Sequence, residues 1–509
     1  MNGWLLLVFG LMPGGAGQFV GKPAEIRVVD AATGRGIPCA ELETTHSQFF
    51  VTDNAGRVAF DEPGLMGQEV FFNLRCHGYE IPKDGLGIPG QRLTPRPGEI
   101  ATIQLKRIQP AERLCRLTGE GRFRDSELLG HAVPDFAKAN QGKVAGQDSV
   151  QAIEYRGKLR WFWGDTLRIS YPLGLFHTAG ATTPLPGPDL DPSLGIPFQY
   201  FTGQDGFARA MMPYTKKSPV LVWVFSLGVV PDSQGRERLV THYTVRKDLA
   251  TEYEHGVAVY NDEKDIFESV TVLPAGEKWR HPTGHPIPWE QDGKKWLLMG
   301  SPNPNVRVPA TLEAVLDPKQ YEAFTCAEGV KDGKPTGPKV DPAGKPVWRW
   351  SKDLPPIDSA TEVQWVKEGK IRPADARFCP TDVAGEEKGH ILLHNGTVRW
   401  NQHRQRWVLL AGQVMGGPSF LGEVWYAEAK EPTGPFTRAA RVVTHQKQSL
   451  YNVCHHPFLD REGGRFVHFE GTYTNDFSGN PWKTPRYNYN QMLHRLDLDH
   501  EAVRKARVE

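Results

Sequence analysis

Residues 148–166 decide the reading: Asp148-Ser-Val150-Gln-Ala-Ile-Glu-Tyr155, Arg156-Gly157, Lys158-Leu-Arg-Trp161-Phe-Trp163, then Gly164-Asp165-Thr166. Two β-prone runs flank a two-residue turn that ends in Gly, the pattern of a tight β-hairpin. A turn centred on Arg156-Gly157 fixes the register. It sets Asp148 directly opposite Asp165, Val150 opposite Trp163 and Ala152 opposite Trp161. Directly opposed residues have Cβ atoms about 4.5–5.5 Å apart, and like charges so placed destabilise a sheet. The two aspartates therefore need a shared proton, a bound cation or a substrate that develops positive charge.

The second half of this hairpin recurs along the chain. A turn followed by an aromatic-rich strand appears at Arg156–Gly164, Pro219–Ser226, Asp292–Gly300, Gln405–Gly412 and Gly463–Gly471. The anchors Trp161, Trp223, Trp296, Trp407 and Phe466 recur roughly every 60–70 residues, with one interval near 110. Such spacing fits a radial array of four-stranded blades, so a five-bladed β-propeller is expected over 114–500. The polar, turn-rich run Asp332–Pro346 marks an exposed insertion near 305–380.

Upstream, Glu25–Val29, Phe49–Thr52, Arg57–Phe60, Val70–Leu74 and Ala101–Leu105 are short β-prone runs separated by turns such as Asp53-Asn-Ala-Gly56. They predict a small β-sandwich over 23–108. The fold class is therefore all-β, a small N-terminal sandwich followed by the propeller.

Composition agrees. The 509 residues include 53 glycines, 41 prolines and 14 tryptophans, and the net charge is +1. That balance leaves no basic surface for a nucleic-acid backbone. No run reaches the roughly 18 apolar residues of a membrane span, so no transmembrane anchor is expected. Trp4–Met12 followed by Pro13-Gly-Gly-Ala-Gly17 has the length and small-residue end of a signal peptide over 1–17, although its first residues carry no basic side chain. A secreted or periplasmic protein is expected, as a monomer. The six cysteines form no CxxC pair; Cys39–Cys76 is the first candidate disulfide, with buried free thiols as the alternative.

Paired carboxylates beside tryptophans suit glycoside hydrolysis, in which one carboxyl protonates the leaving oxygen and the other is nucleophile or base. Asp148 and Asp165 are the candidates, with Trp161 and Trp163 as sugar platforms. A second cluster, Tyr451-Asn-Val-Cys-His455-His456 with His468-Phe-Glu470, reads as another hairpin. A four-residue turn at Arg461–Gly464 would set His455 opposite Glu470, a third candidate acid whose tuning a neighbouring His would supply. Glu423, Glu254, His255 and His285 are reserve site residues. His281 and His285 lie in a Pro-interrupted loop with no third ligand nearby; no metal site is assigned and no cofactor is expected, though a structural cation in the pore fits the histidine content. No GxSxG elbow, Walker A loop or GxGxxG motif is present.

Two resemblances follow from these motifs. Val29-Asp30 with Thr33-Gly34, Thr52-Asp53 with Gly56-Arg57, and Gly78-Tyr79 resemble the carboxypeptidase-regulatory (transthyretin-like) domain, implying a structural or carbohydrate-associated module. Gly146-Gln-Asp148 with Trp161-Phe-Trp-Gly-Asp165-Thr166, and Trp425-Tyr-Ala-Glu with Thr433-Gly-Pro-Phe436, resemble five-bladed propeller glycosidases of glycoside hydrolase family 43 and of the endo-D-arabinanase type. The latter likeness implies that paired first-blade aspartates act, here Asp148 and Asp165. An exported glycoside hydrolase acting on a polysaccharide or oligosaccharide is the expected function. The alternatives are a non-catalytic carbohydrate-binding or adhesion propeller, and a polysaccharide lyase using Arg168 or Arg209 with His255.

Overall fold

The computed structural model describes residues 21–509, apart from 139, 140, 176, 218, 275 and 277. The expected leader lies outside the described residues.

Two four-stranded sheets form the N-terminal unit. In one, Ala24–Asp30 lies between Arg57–Phe60 and Ile100–Arg107, antiparallel to the first and parallel to the second. The other orders Phe49–Val51, Glu41–Thr44, Val70–Arg75 and Gly90–Leu93. Alternation along the strands puts Ile26, Val28 and Ile103 of one sheet into a core shared with Leu42, Phe72 and Leu74 of the other. Cys39 and Cys76 are buried here, but all six cysteines are free, so the candidate disulfide is not formed.

Five further sheets of four or five strands follow in chain order, besides a three-stranded sheet of Val144–Gln147, Thr166–Arg168 and Tyr171–Leu175 and the two-stranded hairpin Val330–Lys331 with Lys334–Pro335. Sheet one is built from Gln151–Tyr155, Lys158–Trp163, Ala179–Pro184 and Gln199–Tyr200. Sheet two runs from Leu221–Pro231 to Ile266–Val272, sheet three from Ile287–Gln291 to Arg349–Ser351, and sheet four has Leu393–Asn401 to Arg438–Val443 as its antiparallel part. Sheet five joins Ser449–His455, Phe466–Thr474 and Asn490–Asp497 to Glu112–Arg116, a strand that precedes sheet one in the chain. Each consecutive pair shares a hydrophobic core. Phe162 of sheet one packs with Val222 and Tyr243 of sheet two. Val257 of sheet two meets Leu297 of sheet three, and Leu298 of sheet three meets Leu409 of sheet four. Leu410 of sheet four meets Phe469 of sheet five. Finally Leu493 of sheet five and Leu114 of the closing strand pack on Trp161 and Trp163 of sheet one. The five sheets thus form a closed ring.

The N-terminal unit is bound to the closing strand. Asn54 and Arg116 exchange two hydrogen bonds of 2.9 Å, and the buried Arg113 guanidinium donates to the carbonyls of Pro38 (3.0 Å) and His77 (2.6 Å). A buried guanidinium with fixed carbonyl acceptors resists separation, because parting would strand a charge.

The expected insertion near 305–380 is largely not an exposed loop. Val306–Pro309, Glu322–Thr325 and Arg349–Ser351 are strands of sheet three, and Phe324, Cys326, Trp365 and Phe378 form a core of their own around the helix Ser359–Lys367. Only the polar hairpin around Val330–Pro335 and the turn that follows stand out. Low hydrophobicity in the middle of the segment hid the apolar residues on both sides.

Candidate functional site

The innermost strands of sheets one, two, four and five, with the loop Thr283-Gly284-His285 that precedes sheet three, line an axial cavity of about 810 Å³. In sheet one the hairpin has the register read from the sequence: Gln151 pairs with Phe162 and Tyr155 with Lys158, and Asp148 N–H donates to the Asp165 carbonyl at 3.2 Å. Asp148 and Asp165 both line the cavity.

The two carboxyls are not equivalent. Asp148 accepts the backbone N–H of Asp165 at 2.9 Å and the Tyr451 hydroxyl at 2.9 Å, and the Tyr489 hydroxyl also bonds to it. Asp165 accepts the Trp223 indole N–H at 3.0 Å. Burial and the charge of Asp148 push Asp165 up to about 7, against the smaller opposing effect of Trp223. Burial raises Asp148 as well, but its donors work against that. Asp148, with three hydrogen-bond donors against one on Asp165, is the better placed to keep the charge, and Asp165 to hold the proton, the usual solution for two carboxyls that cannot both ionise. Gly164 leaves room for this arrangement: a Cβ there would sit 2.6 Å from Asp148 Oδ1 and displace the carboxyl.

Side-chain hydrogen bonds connect neighbouring sheets around the cavity. Ser301 donates to Asn395 Oδ1 (3.1 Å), the Asn395 amide to Asn452 Oδ1 (2.6 Å), and the Asn452 amide to Ser149 Oγ (2.5 Å). Trp223 ties sheet two to sheet one through Asp165, and the Ser226 hydroxyl donates to the Pro282 carbonyl at 2.8 Å beside sheet three. Ser149, Ser226 and Asn452 all have φ between 54° and 57°. The innermost strands of sheets two, four and five are bulged, between Phe225 and Gly228, Leu393 and Gly396, and Tyr451 and Cys454. Bulges re-aim side chains, here toward the axis. Sequence reading did not assign these polar residues, nor Tyr451 and Tyr489 as partners of Asp148. A left-handed Ser or Asn inside a strand carries no local signal, whereas Tyr451-Asn452 did stand out as part of a polar run.

Other expected residues lie elsewhere. Trp161 and Trp163 are fully buried between sheets five and one, stacked with ring centroids 6.4 Å apart, and are not sugar platforms in this structure. Alternation in their strand gives both faces to inter-sheet cores, since Phe162 points into the other one. Glu470 does not line the axial cavity. It is opposite Cys454 rather than His455, and it bonds to His456 at 2.6 Å. The turn contains two short 3₁₀ segments, Pro457–Leu459 and Glu462–Gly464, and this longer connection shifts the register by one residue. His455 instead bonds to Asp460 at 3.0 Å. Glu423 is buried against Arg441 (3.4 Å) and accepts the His445 N–H. Glu254 accepts the hydroxyls of Tyr243 (2.7 Å) and Tyr214 (3.2 Å). His255 stacks on His281 at 4.4 Å beside a separate cavity of about 560 Å³. Arg168 bonds to Asp205 and Arg209 to the carbonyls of Lys264 and Asp265, so the lyase set is not brought together. His285 does line the axial cavity. Among the described residues no group of three His, Cys, Asp or Glu is arranged to hold a metal ion, and no helix is long and apolar enough to cross a membrane.

No family model matches the chain, and no curated protein sequence matches it. Solved structures do. A protein from Bacteroides ovatus described as a hydrolase is similar at 14% identity over 70% of this chain and 88% of that one, with a TM-score of 0.40. An α-L-arabinanase from Penicillium chrysogenum, complexed with arabinobiose, is similar at 10% identity over 70% and 94%, with a TM-score of 0.35. A GH43_1 enzyme from Xanthomonas citri, complexed with xylotriose, is similar at 12% identity over 70% and 88%, with a TM-score of 0.32. At these TM-scores the likeness assigns no residue and no substrate to this chain.

Proposed function

We propose that the chain is a glycoside hydrolase built on a five-bladed propeller, the five sheets being its blades, with the N-terminal unit a carboxypeptidase-regulatory-like sandwich that supports ring closure. The observation that carries the reading is the directly opposed Asp148/Asp165 pair at the cavity, with three hydrogen-bond donors on Asp148 and one on Asp165. Asp165 donates its proton to the leaving glycosidic oxygen. Asp148 faces the developing positive charge at the anomeric carbon and acts as nucleophile or as base toward water. Direct opposition of the two favours the retaining arrangement, in which the carboxyls are about 5–5.5 Å apart, over the inverting one at about 6.5–9.5 Å.

Lining charge supports a hydrolase over a lyase. Asp148, Asp165 and Asp476 face a single Lys483. A uronate-neutralising site would be basic instead. Phe477 and Leu249, 60% and 72% exposed at the same cavity, supply the apolar surface that the buried tryptophans do not. The substrate proposed is a neutral polysaccharide or oligosaccharide met outside the cytoplasm.

The test is reducing-sugar release from a glycan panel by the parent, Asp148→Asn and Asp165→Asn, with folding checked by circular dichroism. Release by the parent that is lost in both folded variants supports the reading. Release that survives both, or sugar binding without release by the parent, overturns it in favour of another site or of a binding propeller.

A further inference from the structure

A second cavity, of about 410 Å³, adjoins the first, with Gln151 and His285 lining both. Its wall is largely aliphatic, with Ile153, Leu227, Val229, Ile287 and Leu297. Cys454 faces it from the last turn of the sheet-five inner strand. Its Sγ is 3.6 Å from His285 Nδ1 and 3.9 Å from His456 Nδ1. The far nitrogen of His456, Nε2, is 2.6 Å from Glu470 Oε1, with both side chains buried. Trp161 packs edge-on against the His456 ring at 5.2 Å and Phe458 lies 5.1 Å away on another side, which holds the imidazole in place. Thiol, imidazole and carboxylate thus stand in line, with the carboxylate fixing the tautomer that leaves Nδ1 free to take a proton.

We propose that Cys454 is a nucleophilic thiol, activated by His456 and oriented through Glu470, that reacts with small uncharged carbon electrophiles entering the aliphatic cavity. The thiol proton passes to His456 Nδ1. The thiolate then attacks the electrophilic carbon, a C–S bond forms, and the leaving group departs with the bonding pair. With iodoacetamide that group is iodide, and no further reactant is needed. A charged reagent would be disfavoured by loss of hydration against these walls.

The electrostatic surroundings agree with the geometry. His285 and His456 hold the Cys454 thiol well below the usual range despite burial, and the thiolate and Glu470 hold His456 up to about 10. Two further charged groups line the cavity: Arg399 of sheet four, which donates to the His285 carbonyl at 3.1 Å and favours the thiolate, and Glu154 of sheet one; His455 is engaged by Asp460. By contrast, burial pushes Cys39 up to about 11 and Cys76, Cys115 and Cys326 up to about 12, and raises Cys379 further. The five other thiols are buried and held neutral, so none is expected to compete for alkylation in the folded chain.

The experiment is alkylation of the native protein by iodoacetamide at about pH 6 and about pH 8, read by intact and peptide mass spectrometry. One adduct is expected, on Cys454, at rates within about three-fold of each other. An ordinary thiol of pKa near 8.5 would slow nearly 100-fold over that interval. No adduct, an adduct shared among cysteines, or the ordinary pH slope would overturn the proposal. Glu470→Gln is expected to restore part of that slope. Because Glu470 is fully buried and its replacement strains folding, absorbance of the native parent near 240 nm is followed during acidification as well. A thiolate signal that persists below about pH 6 supports the pair, and its absence refutes it.

Discussion

The two cavities share the inner strands of sheets one, two, four and five yet differ in chemistry. The larger carries carboxyl, hydroxyl and amide groups, whereas the smaller is largely aliphatic, with Cys454, His456, His285, Glu154 and Arg399 among its polar groups. In sheets two and five the strand bulge is the boundary: Phe225 and Tyr451 serve the larger cavity, Leu227 and Cys454 the smaller. A regular strand would alternate faces without changing level, so one extra residue lets a single strand furnish two environments. The Ser and Asn residues held at positive φ cost something of order 1 kcal/mol each, and the cross-sheet hydrogen bonds they make offset it.

The largest expected effect separates the cavities outright. Asp148→Asn and Asp165→Asn are each expected to lower glycan release about 10²–10⁴-fold, the usual worth of a general acid or base. Alkylation of Cys454 should stay within about two-fold of the parent in both. Joint loss would show that the cavities are one functional unit. The pH dependence sharpens the same contrast. Asp165 acts protonated, so release should be present below about 7 and decline as pH rises through that value. Asp148 acts ionised, so release should also decline at acid pH. Alkylation at the smaller cavity should be nearly flat across the neutral range.

A smaller effect is expected from Gly164→Ala. The added Cβ would meet Asp148 Oδ1 at 2.6 Å and Ser149 Cβ at 3.3 Å. The carboxylate must turn away from its donors, and kcat is expected to drop roughly 10- to 100-fold with the fold retained, since misplacement of about 1 Å has that consequence. Kinetics on the panel substrate check this; an unchanged kcat would show that Asp148 tolerates displacement and is not the reacting group.

How much of this was legible depended on turn length. Arg156-Gly157 closes a two-residue turn, and the register of Asp148 and Asp165 followed from it. At Arg461–Gly464 two 3₁₀ segments lengthen the connection, the register moves by one, and Glu470 faces Cys454 rather than His455. The repeat of aromatic anchors fell in five different sheets, but Trp223 stands on an innermost strand while Trp161, Trp296, Trp407 and Phe466 stand on second strands. That offset places Trp223 at the cavity, where its indole bonds to Asp165, and buries Trp161. Aromatic periodicity therefore reported the sheets but not which aromatic faces the axis. The loop carrying Asp476, Phe477 and Tyr489 had no repeat or register to read, because it is irregular and its position is set by what it covers.

Trp223→Phe gives the smallest effect and the finest test of the assignment. The indole N–H at 3.0 Å stabilises the charged form of Asp165, opposing burial and the neighbouring charge. Removing it while keeping the ring leaves Asp165 with a higher pKa. The protonated acid then persists to higher pH, so the alkaline limb of kcat should move upward by up to about one unit, equivalent to about 1.4 kcal/mol. Release near pH 6 should change little, and alkylation of Cys454 not at all. A limb that moves downward, or stays in place, would mean that the group titrating near neutrality is not Asp165, and would return the acid role to another residue of the ring.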